Sequence, residues 1–331
     1  YRQEKIFARE GIDISRQTMA GWMIQLEENL TPLMAAMKSL LYQGPLIHID
    51  ETRLQVLDEP GREASQQSFM WVYRGGPPER PVVWFQYAET RSGTVPRDFL
   101  FPGGVAPAGC DPPRLYLLTD GYSGYSALAR ETAIRGHAAC WAHVRRKFVE
   151  AAAGRKHTAA AHQMVALIGQ LYAGERTLGE CSAEERVAVR EARSTPIVEK
   201  IKAWLDAKVT QVLPKGLLGK AIGYALGLWP QLTTFLEDGH IPLDNNLAEN
   251  AIRPFVVGRK GWLFSGSPRG AHASATLYSL VESAKANGLE PRAYLTFLFE
   301  HFPEVSTPEQ IRALLPQRLK PEDLVVQTSI P

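Results

Sequence analysis

The sequence is poor in cysteine and in long apolar runs. Its three cysteines, Cys110, Cys140 and Cys181, are widely separated and form no C-x-x-C pair, which argues against a disulfide framework or a cysteine zinc knuckle. The longest apolar runs, such as Met164 to Ile168, are far shorter than the roughly 20 residues of a membrane-spanning helix, and we expect no secretory leader. We therefore expect a soluble protein of the reducing cytoplasm with no membrane partner.

The sequence also has little excess charge of either sign. With 37 basic and 35 acidic residues, its formal net charge is +2, so only local clusters could indicate a nucleic-acid binder. At 331 residues with 45% hydrophobic content, the chain can bury the core of one large domain or of two to three smaller ones. It opens with Tyr1 in helix-like sequence, and we expect a further region upstream.

The residue pattern of segment 1–43 predicts a helical arm. A break at Gly11 to Ile14 separates two helical patterns, and Ser15 is positioned as the N-cap of the second helix. This layout is typical of a helix-turn-helix, although a two-helix packing arm fits equally. In a helix-turn-helix the start of the second helix would face a DNA groove. The residues there are Arg16, Gln17 and Thr18.

Segment 44–150 changes to the two-residue period of strands. Strands rich in Val, Ile and aromatic residues are predicted at 46–56, 69–74 and 82–87, joined by short glycine-containing turns as in an antiparallel meander. After them we predict a helix at 95–100, a Pro/Gly-rich stretch at 102–113, strands at 115–119 and 134–139, and helices at 123–131 and from 141 onward. This βββαβαβα order is that of the ribonuclease H-like fold, an α/β fold with a mixed five-stranded sheet and flanking helices.

The rest of the chain is predicted to be helical. Segment 151–240 reads as a helical insertion with breaks near Cys181 and at Leu213-Pro214. Segment 241–287 returns to the core, and segment 288–331 is a C-terminal helical tail. The helices in these two segments are predicted at 245–252, 271–287, 291–301 and 308–315, the last one capped by Thr307.

The first candidate functional residue is an acid inside an apolar strand. Strand alternation puts His48 and Asp50 on one face and Ile49 on the other. A buried carboxylate is costly unless it is paired or binds a metal ion, so Asp50 needs a partner. A salt bridge to an arginine is the structural alternative.

A second acid follows another apolar strand. Asp120 comes directly after the strand at 115–119 and precedes Gly121 and Gly124, which allow a sharp turn at the carboxyl end of the strand. Ligand sites of open α/β sheets lie at that edge. A helix N-cap is the alternative role for Asp120.

The third acid, Glu249, lies in a helix that Asp244 can cap and that Pro254 should end. At i, i+4 spacing, Asn245, Glu249 and Arg253 share one polar face. The apolar face consists of Leu247, Ala248, Ala251 and Ile252. An ordinary Glu249–Arg253 surface pair is the alternative, and it would be worth only about 0.5 kcal/mol.

Three carboxylates on two strands and a helix suit two-metal phosphoryl transfer. Hard oxygen ligands can hold two Mg²⁺ or Mn²⁺ ions about 4 Å apart, one at the attacking hydroxyl and one at the leaving oxygen. Such a site could cut a DNA strand and join the freed 3′-hydroxyl to another strand. A glycosidase with paired carboxylates is a weaker alternative.

Basic residues cluster near these acids in the sequence, and we predict that they contact DNA. Their role would be phosphate neutralisation, with a tryptophan as a stacking surface for an unpaired base. A solvated helix face and a core tryptophan are the structural alternatives, and a Cys140–His143 metal pair is less favoured. The predicted contacts here are His143, Arg145, Arg146, Lys147, Asn245, Arg253, Arg259, Lys260 and Trp262.

Four blocks of the sequence resemble the insertion sequence 66 family of DDE transposases: 48–52, 119–125, 140–148 and 244–266. The resemblance covers nearly the whole chain, including the tail from Ala271 to Leu315. It implies that Asp50, Asp120 and Glu249 are the catalytic, metal-binding acids. Members of this family also carry an upstream coiled coil and a small zinc-binding domain, and we expect neither of them within these 331 residues.

The resemblance further implies partners: transposon inverted-repeat ends, target DNA, accessory proteins of the same element, and other copies of the chain in a complex on DNA. It implies cleavage and strand transfer during DNA transposition in a bacterial cytoplasm. A ribonuclease H-like nuclease that cuts without joining, and an inactive DNA-binding relic, remain open alternatives.

Overall fold

A computed structural model describes residues 2–105, 115–154 and 158–324. The chain divides into two compact units, one formed by residues 1–101 and 248–331 and the other by residues 102–247. Cys110 and most of the Pro/Gly-rich stretch predicted at 102–113 lie outside the described residues.

The first part of the first unit contains the helical arm and the antiparallel meander. Its elements are α1 (Arg2–Arg9), α2 (Arg16–Asn29), α3 (Thr31–Leu41), β1 (Leu46–Gln55), β2 (Gln67–Gly75), β3 (Val82–Ala88) and α4 (Thr94–Leu100). The three predicted strands are confirmed to within two residues at each end. The predicted N-cap is confirmed as well, because the Ser15 hydroxyl accepts the backbone N–H of Thr18 at 3.1 Å.

The second unit contains a parallel strand pair and most of the central helices. Its elements are β4 (Leu115–Thr119), α5 (Tyr125–Leu128), β5 (Ile134–Ala139), α6 (Trp141–Ala152), α7 (Thr158–Arg176), α8 (Ala183–Arg193), α9 (Thr195–Val209), α10 (Leu217–Gly227) and α11 (Trp229–Thr233). Both predicted strands are confirmed, and β4 pairs with β5 in parallel. The predicted breaks near Cys181 and Pro214 are confirmed too.

The helix predicted at 123–131 was wrong in length, since α5 has only four residues. The backbone N–H groups of Arg130 and Glu131 bond three residues back, to Ala127 and Leu128, instead of four. This tighter turn ends the α-helix and redirects the chain into β5.

The chain then returns to the first unit through α12 (Asn246–Trp262), α13 (Pro268–Ala286), α14 (Pro291–His301) and α15 (Pro308–Ala313). The prediction that Pro254 ends its helix was wrong, because α12 continues through it to Trp262. An internal proline removes one helical hydrogen bond and costs about 3 kcal/mol. The adjacent, fully buried Phe255 offsets part of that cost by its burial.

The strands form a five-stranded mixed sheet in the order β3-β2-β1-β4-β5, which confirms the predicted α/β class. In the first unit, one face of the meander is covered by α12 and α13. We call this apolar contact the meander core, and its buried members are Leu54, Val56, Met70, Val72, Val83, Phe85, Tyr87, Ala248, Ala251, Ile252, Phe255, Ala271 and Ala275.

The edge strand β3 is covered by serines of α13. The Ser283 hydroxyl accepts the N–H of Val83 at 3.0 Å and donates to the carbonyl oxygen of Val83 at 3.0 Å. The Ser279 hydroxyl accepts the N–H of Phe85 at 2.7 Å. Backbone groups that an edge strand would otherwise leave unpaired are thereby satisfied within the unit.

Among the described residues, no helix is both long enough and apolar enough to cross a membrane.

Candidate functional site

The strand register shows which way Asp50 points. Asp50 lies opposite Val72 on β2, and Val72 lies opposite Phe85 on β3. Residues directly opposite each other in a sheet share a face. Because Val72 and Phe85 belong to the meander core together with Phe255 of α12, Asp50 projects from the face that α12 covers.

Glu249 lies on that covering helix. Its neighbours Ala248 and Ile252 are buried in the meander core, while Glu249 lies half-buried on the flank of α12. Asp50 and Glu249 therefore belong to the same unit, one on a strand face and one on the helix over it. Leu247, predicted on the apolar side, is 43% exposed and is not part of this packing.

Arg259, a predicted phosphate contact, is engaged with the strand that carries Asp50. Its guanidinium donates to the Thr52 hydroxyl at 3.0 Å, and Thr52 is two residues beyond Asp50 on the same face. Burial lowers the pKa of Arg259 from its usual value. Arg259 thus ties α12 to β1, and its charge lies on the Asp50 side of the strand.

Asp120 lies in the second unit, in a tight turn after β4. One carboxylate oxygen accepts the N–H of Tyr122 at 2.8 Å, and Tyr224 of α10 donates its hydroxyl to the Asp120 backbone oxygen at 2.6 Å. Gly121 has a φ of +83°, and a Cβ there would lie 2.5 Å from a methyl group of Leu228. Burial and the Asp120 charge raise the pKa of Tyr224 to about 12.

A half-buried histidine supports the same turn. A ring nitrogen of His137 on β5 lies 2.8 Å from the Thr119 hydroxyl, which also accepts the N–H of Gly121 at 3.3 Å. Burial lowers the pKa of His137 to about 4, although the Asp120 charge opposes this shift. The ring is therefore neutral near pH 7.

Sequence reasoning missed His137 and Tyr224 as supports of Asp120. The only sequence signal for His137 is a polar residue at an alternating position of β5, and strand alternation does not identify its partner. Tyr224 is 104 residues from Asp120, and no local pattern connects them.

The basic run on α6 is divided between solvent and packing. Arg145 and Arg146 are exposed, whereas the Lys147 ammonium lies 4.5 Å from the centre of the Tyr224 ring. Two arginines of this run are therefore exposed to solvent, and its lysine packs against α10.

The segment before α12 is anchored to the start of α6. The Cys140 thiol is buried and accepts the N–H of Asn245 at 3.3 Å, and Asn245 is itself fully buried. The predicted DNA contact from Asn245 would need an exposed side chain, which this buried residue does not provide.

The Cys140 sulfur and a ring nitrogen of His143 lie within 4.8 Å of each other. Asp244 accepts the N–H of Asn246 at 3.2 Å, just ahead of the helix.

The other predicted DNA contacts have mixed surroundings. Trp262 is partly buried against the meander core, with its ring centre 5.2 Å from that of Phe255, as expected for a packing tryptophan. The exposed ones are Arg16, Gln17, Arg253 and Lys260.

The described residues thus combine a mixed α/β sheet, acids on or directly after its strands, and exposed arginines on its helices. Two family models match the chain: "Transposase IS66 family" over residues 1–273 and "IS66 C-terminal element" over residues 279–317. The chain therefore belongs to the IS66 transposase family, and the resemblance inferred from the sequence is confirmed.

Curated relatives come from Sinorhizobium fredii and are described only as uncharacterized proteins. The chain is 33% identical to y4jD over 340 residues, covering 98% of this chain and 63% of that protein. It is 31% identical to y4qI over 334 residues, covering 97% of this chain and 60% of that protein. The chain thus spans about three fifths of the length of these relatives.

Proposed function

We propose that this chain is the catalytic part of a DDE transposase that cleaves DNA at transposon ends and transfers the freed strand into target DNA. Membership of the IS66 family supports a transposase role. The observation that carries the finer proposal is the strand register, by which Asp50 shares a face of the meander with the helix that carries Glu249.

The proposed core is ribonuclease H-like. An antiparallel meander followed by a parallel pair, in the order β3-β2-β1-β4-β5, supports this assignment. We propose the domain limits predicted from the sequence, namely 1–43, 44–150, 151–240, 241–287 and 288–331.

The proposed ligands Asp50, Asp120 and Glu249 are all carboxylates, the hard oxygen donors that Mg²⁺ and Mn²⁺ prefer. When bound, two such ions would activate the attacking hydroxyl and neutralise charge at the leaving oxygen. Asp120 would bind in one orientation, because its turn is restrained by Tyr122 and Tyr224. Arg259 would place positive charge beside Asp50.

Double-stranded DNA is the proposed substrate, both as inverted-repeat ends and as target. The proposed contacts are cationic, polar or aromatic side chains that could neutralise phosphates or stack on bases. They are Arg16, Gln17, His143, Arg145, Arg146, Lys147, Arg253, Arg259, Lys260 and Trp262. We further propose homo-oligomers on DNA, accessory proteins of the same element as partners, and a cytoplasmic, nucleoid-associated location.

The test combines metal binding with strand transfer. Calorimetry with Mn²⁺ and a transposon-end duplex should show weaker binding for Asp50→Asn, Asp120→Asn and Glu249→Gln than for wild type. The exposed acid Glu199 on α9 provides the control, and Glu199→Gln should bind as wild type. Cleavage and joining should be lost in the same three variants.

The outcomes separate the rival functions. Cleavage without joining by the wild type would favour a nuclease. Metal binding that is equal in all variants, with no cleavage by the wild type, would refute the carboxylate triad and favour a DNA-binding relic.

A further inference from the structure

A second site is a pocket of 590 Å³ in the second unit, between α6, α7 and the turn before α12. It is lined by Arg145 and Arg146 of α6, Tyr172 and Arg176 of α7, and Asp244. None of the sequence patterns identified it, because its walls come from segments about 30 and 100 positions apart along the chain.

Helical spacing explains how the two walls face each other. Residues three, four and seven positions apart lie on one side of a helix, so Arg145 and Val149 face the pocket together, as do Tyr172 and Arg176. Gly169 is on the same side of α7, and a Cβ there would meet nothing within 4 Å. The absence of a side chain at this position leaves room for a ligand.

The pocket carries an excess of positive charge. Three arginines line it with one acid, Asp244, which accepts the N–H of Asn246 at 3.2 Å. Within the described ranges, neither Arg145 nor Arg176 forms a salt bridge or a side-chain hydrogen bond. Both guanidinium groups are thus available to an anion.

The Tyr172 hydroxyl lies at the same pocket. Burial raises its pKa, and the neighbouring Asp244 carboxylate raises it further. Tyr172 is therefore protonated throughout the physiological range and adds no negative charge to the pocket.

We propose that this pocket binds a backbone phosphate of a DNA strand, with Arg145 and Arg176 as its principal cations. Arginine matches phosphate because its planar guanidinium can donate two parallel hydrogen bonds. Arg176 extends DNA contact to the helical segment after α6, which no sequence prediction included. The choice of DNA rather than a free phosphate rests on the function proposed above.

The experiment is DNA binding by fluorescence anisotropy, in EDTA and over a series of salt concentrations. The variants Arg145→Gln, Arg176→Gln and the double variant remove positive charge from the pocket, and Tyr172→Phe removes only a hydroxyl group. Arg193 on α8 is an exposed arginine of the same unit outside the pocket, and Arg193→Gln is the matched control. Thermal melting confirms that each variant is folded.

We expect duplex binding to weaken by about tenfold for each pocket arginine, since a charge-assisted hydrogen bond is worth about 1.5 kcal/mol or more. The slope of log K against log salt should fall by about 0.9 for each lost phosphate contact. Tyr172→Phe should weaken binding less, and Arg193→Gln should leave both quantities unchanged.

Equal affinities and salt slopes for the wild type, the pocket variants and the control would overturn the proposal. Inorganic phosphate provides the second arm. If calorimetry shows phosphate binding that Arg176→Gln removes while duplex binding is unaffected, the pocket serves a free anion and the DNA assignment is wrong. Because these assays contain no metal, a failure of strand transfer would leave their result unchanged.

Discussion

The conformation of the turn that carries Asp120 is restrained by three individual residues. His137 is half-buried and neutral, the Tyr224 hydroxyl donates to the Asp120 backbone oxygen, and Gly121 occupies a backbone conformation that favours glycine. These contacts restrain the turn that carries the proposed metal ligand, so small changes here should affect stability as well as activity.

The first prediction concerns acid stability. The folded pKa of His137, about 4, lies below its usual value of 6.5, so between these values the unfolded state binds more protons. The stability contributed by neutral His137 is complete above about pH 6.5 and is lost as the pH falls toward 4, by about 3 kcal/mol in total. Urea unfolding over this range should show the loss.

A variant without the titrating ring tests the assignment. His137→Gln should flatten the dependence of unfolding free energy on pH, whereas the exposed His162→Gln should retain it. An unchanged pH dependence in His137→Gln would assign the acid sensitivity to other groups.

The second prediction concerns Gly121→Ala, which we expect to destabilise the protein by about 2 kcal/mol or more. An alanine at φ +83° costs about 1 to 2 kcal/mol, and its Cβ would press on Leu228. Thermal or urea unfolding measures the effect. Gly174→Ala in α7 is the control, since a Cβ there meets nothing within 4 Å and helix propensity favours alanine.

At the scale of elements, α13 acts as a cover for the edge of the meander. Its serines form hydrogen bonds with backbone groups of β3. In an uncovered edge strand such groups pair with solvent or with another chain. The same helix also contributes Ala271 and Ala275 to the meander core.

The third prediction follows from this cover. Ser279→Ala and Ser283→Ala should each lower the unfolding free energy by about 1 to 3 kcal/mol, because each leaves a buried N–H without an acceptor. Chemical denaturation provides the measurement. Ser274→Ala on the same helix should change stability by less than about 0.5 kcal/mol, and equal effects at all three positions would argue against the edge role.

At the scale of the molecule, the second unit has a buried charge network. Arg190 is 1% exposed, pairs with Glu175 at 2.9 and 2.7 Å, and donates to the backbone oxygens of Phe235, Asp238 and Ile241. One side chain therefore joins α7 and α8 to the chain segment after α11.

The fourth prediction is that Arg190→Met destabilises the unit by about 3 to 5 kcal/mol, because Glu175 and three carbonyl groups lose their donor. Arg193→Met, an exposed change on the same helix, should have little effect. Urea unfolding followed by circular dichroism would show the difference, and similar midpoints for the two variants would contradict it.

Local sequence patterns determined much of this protein. Runs of strand-forming residues predicted the strands, including β4 and β5 residue for residue, and capping residues such as Ser15 and Thr307 marked the starts of helices. Four sequence blocks were enough to indicate the family. These signals depend on neighbours within a few positions, so they can be read from the chain alone.

Other features of this protein depend on its tertiary structure. In the folded protein, α12 continues through Pro254 and α5 is shorter than predicted. Asp50 lies on the face that α12 covers, and His137 and Tyr224 support the turn that carries Asp120. Arg190 is also buried. Apart from the shortening of α5, these outcomes join residues that are distant in sequence. Their physical reason is burial and hydrogen bonding across the packed units, which can outweigh the local preferences that the sequence expresses.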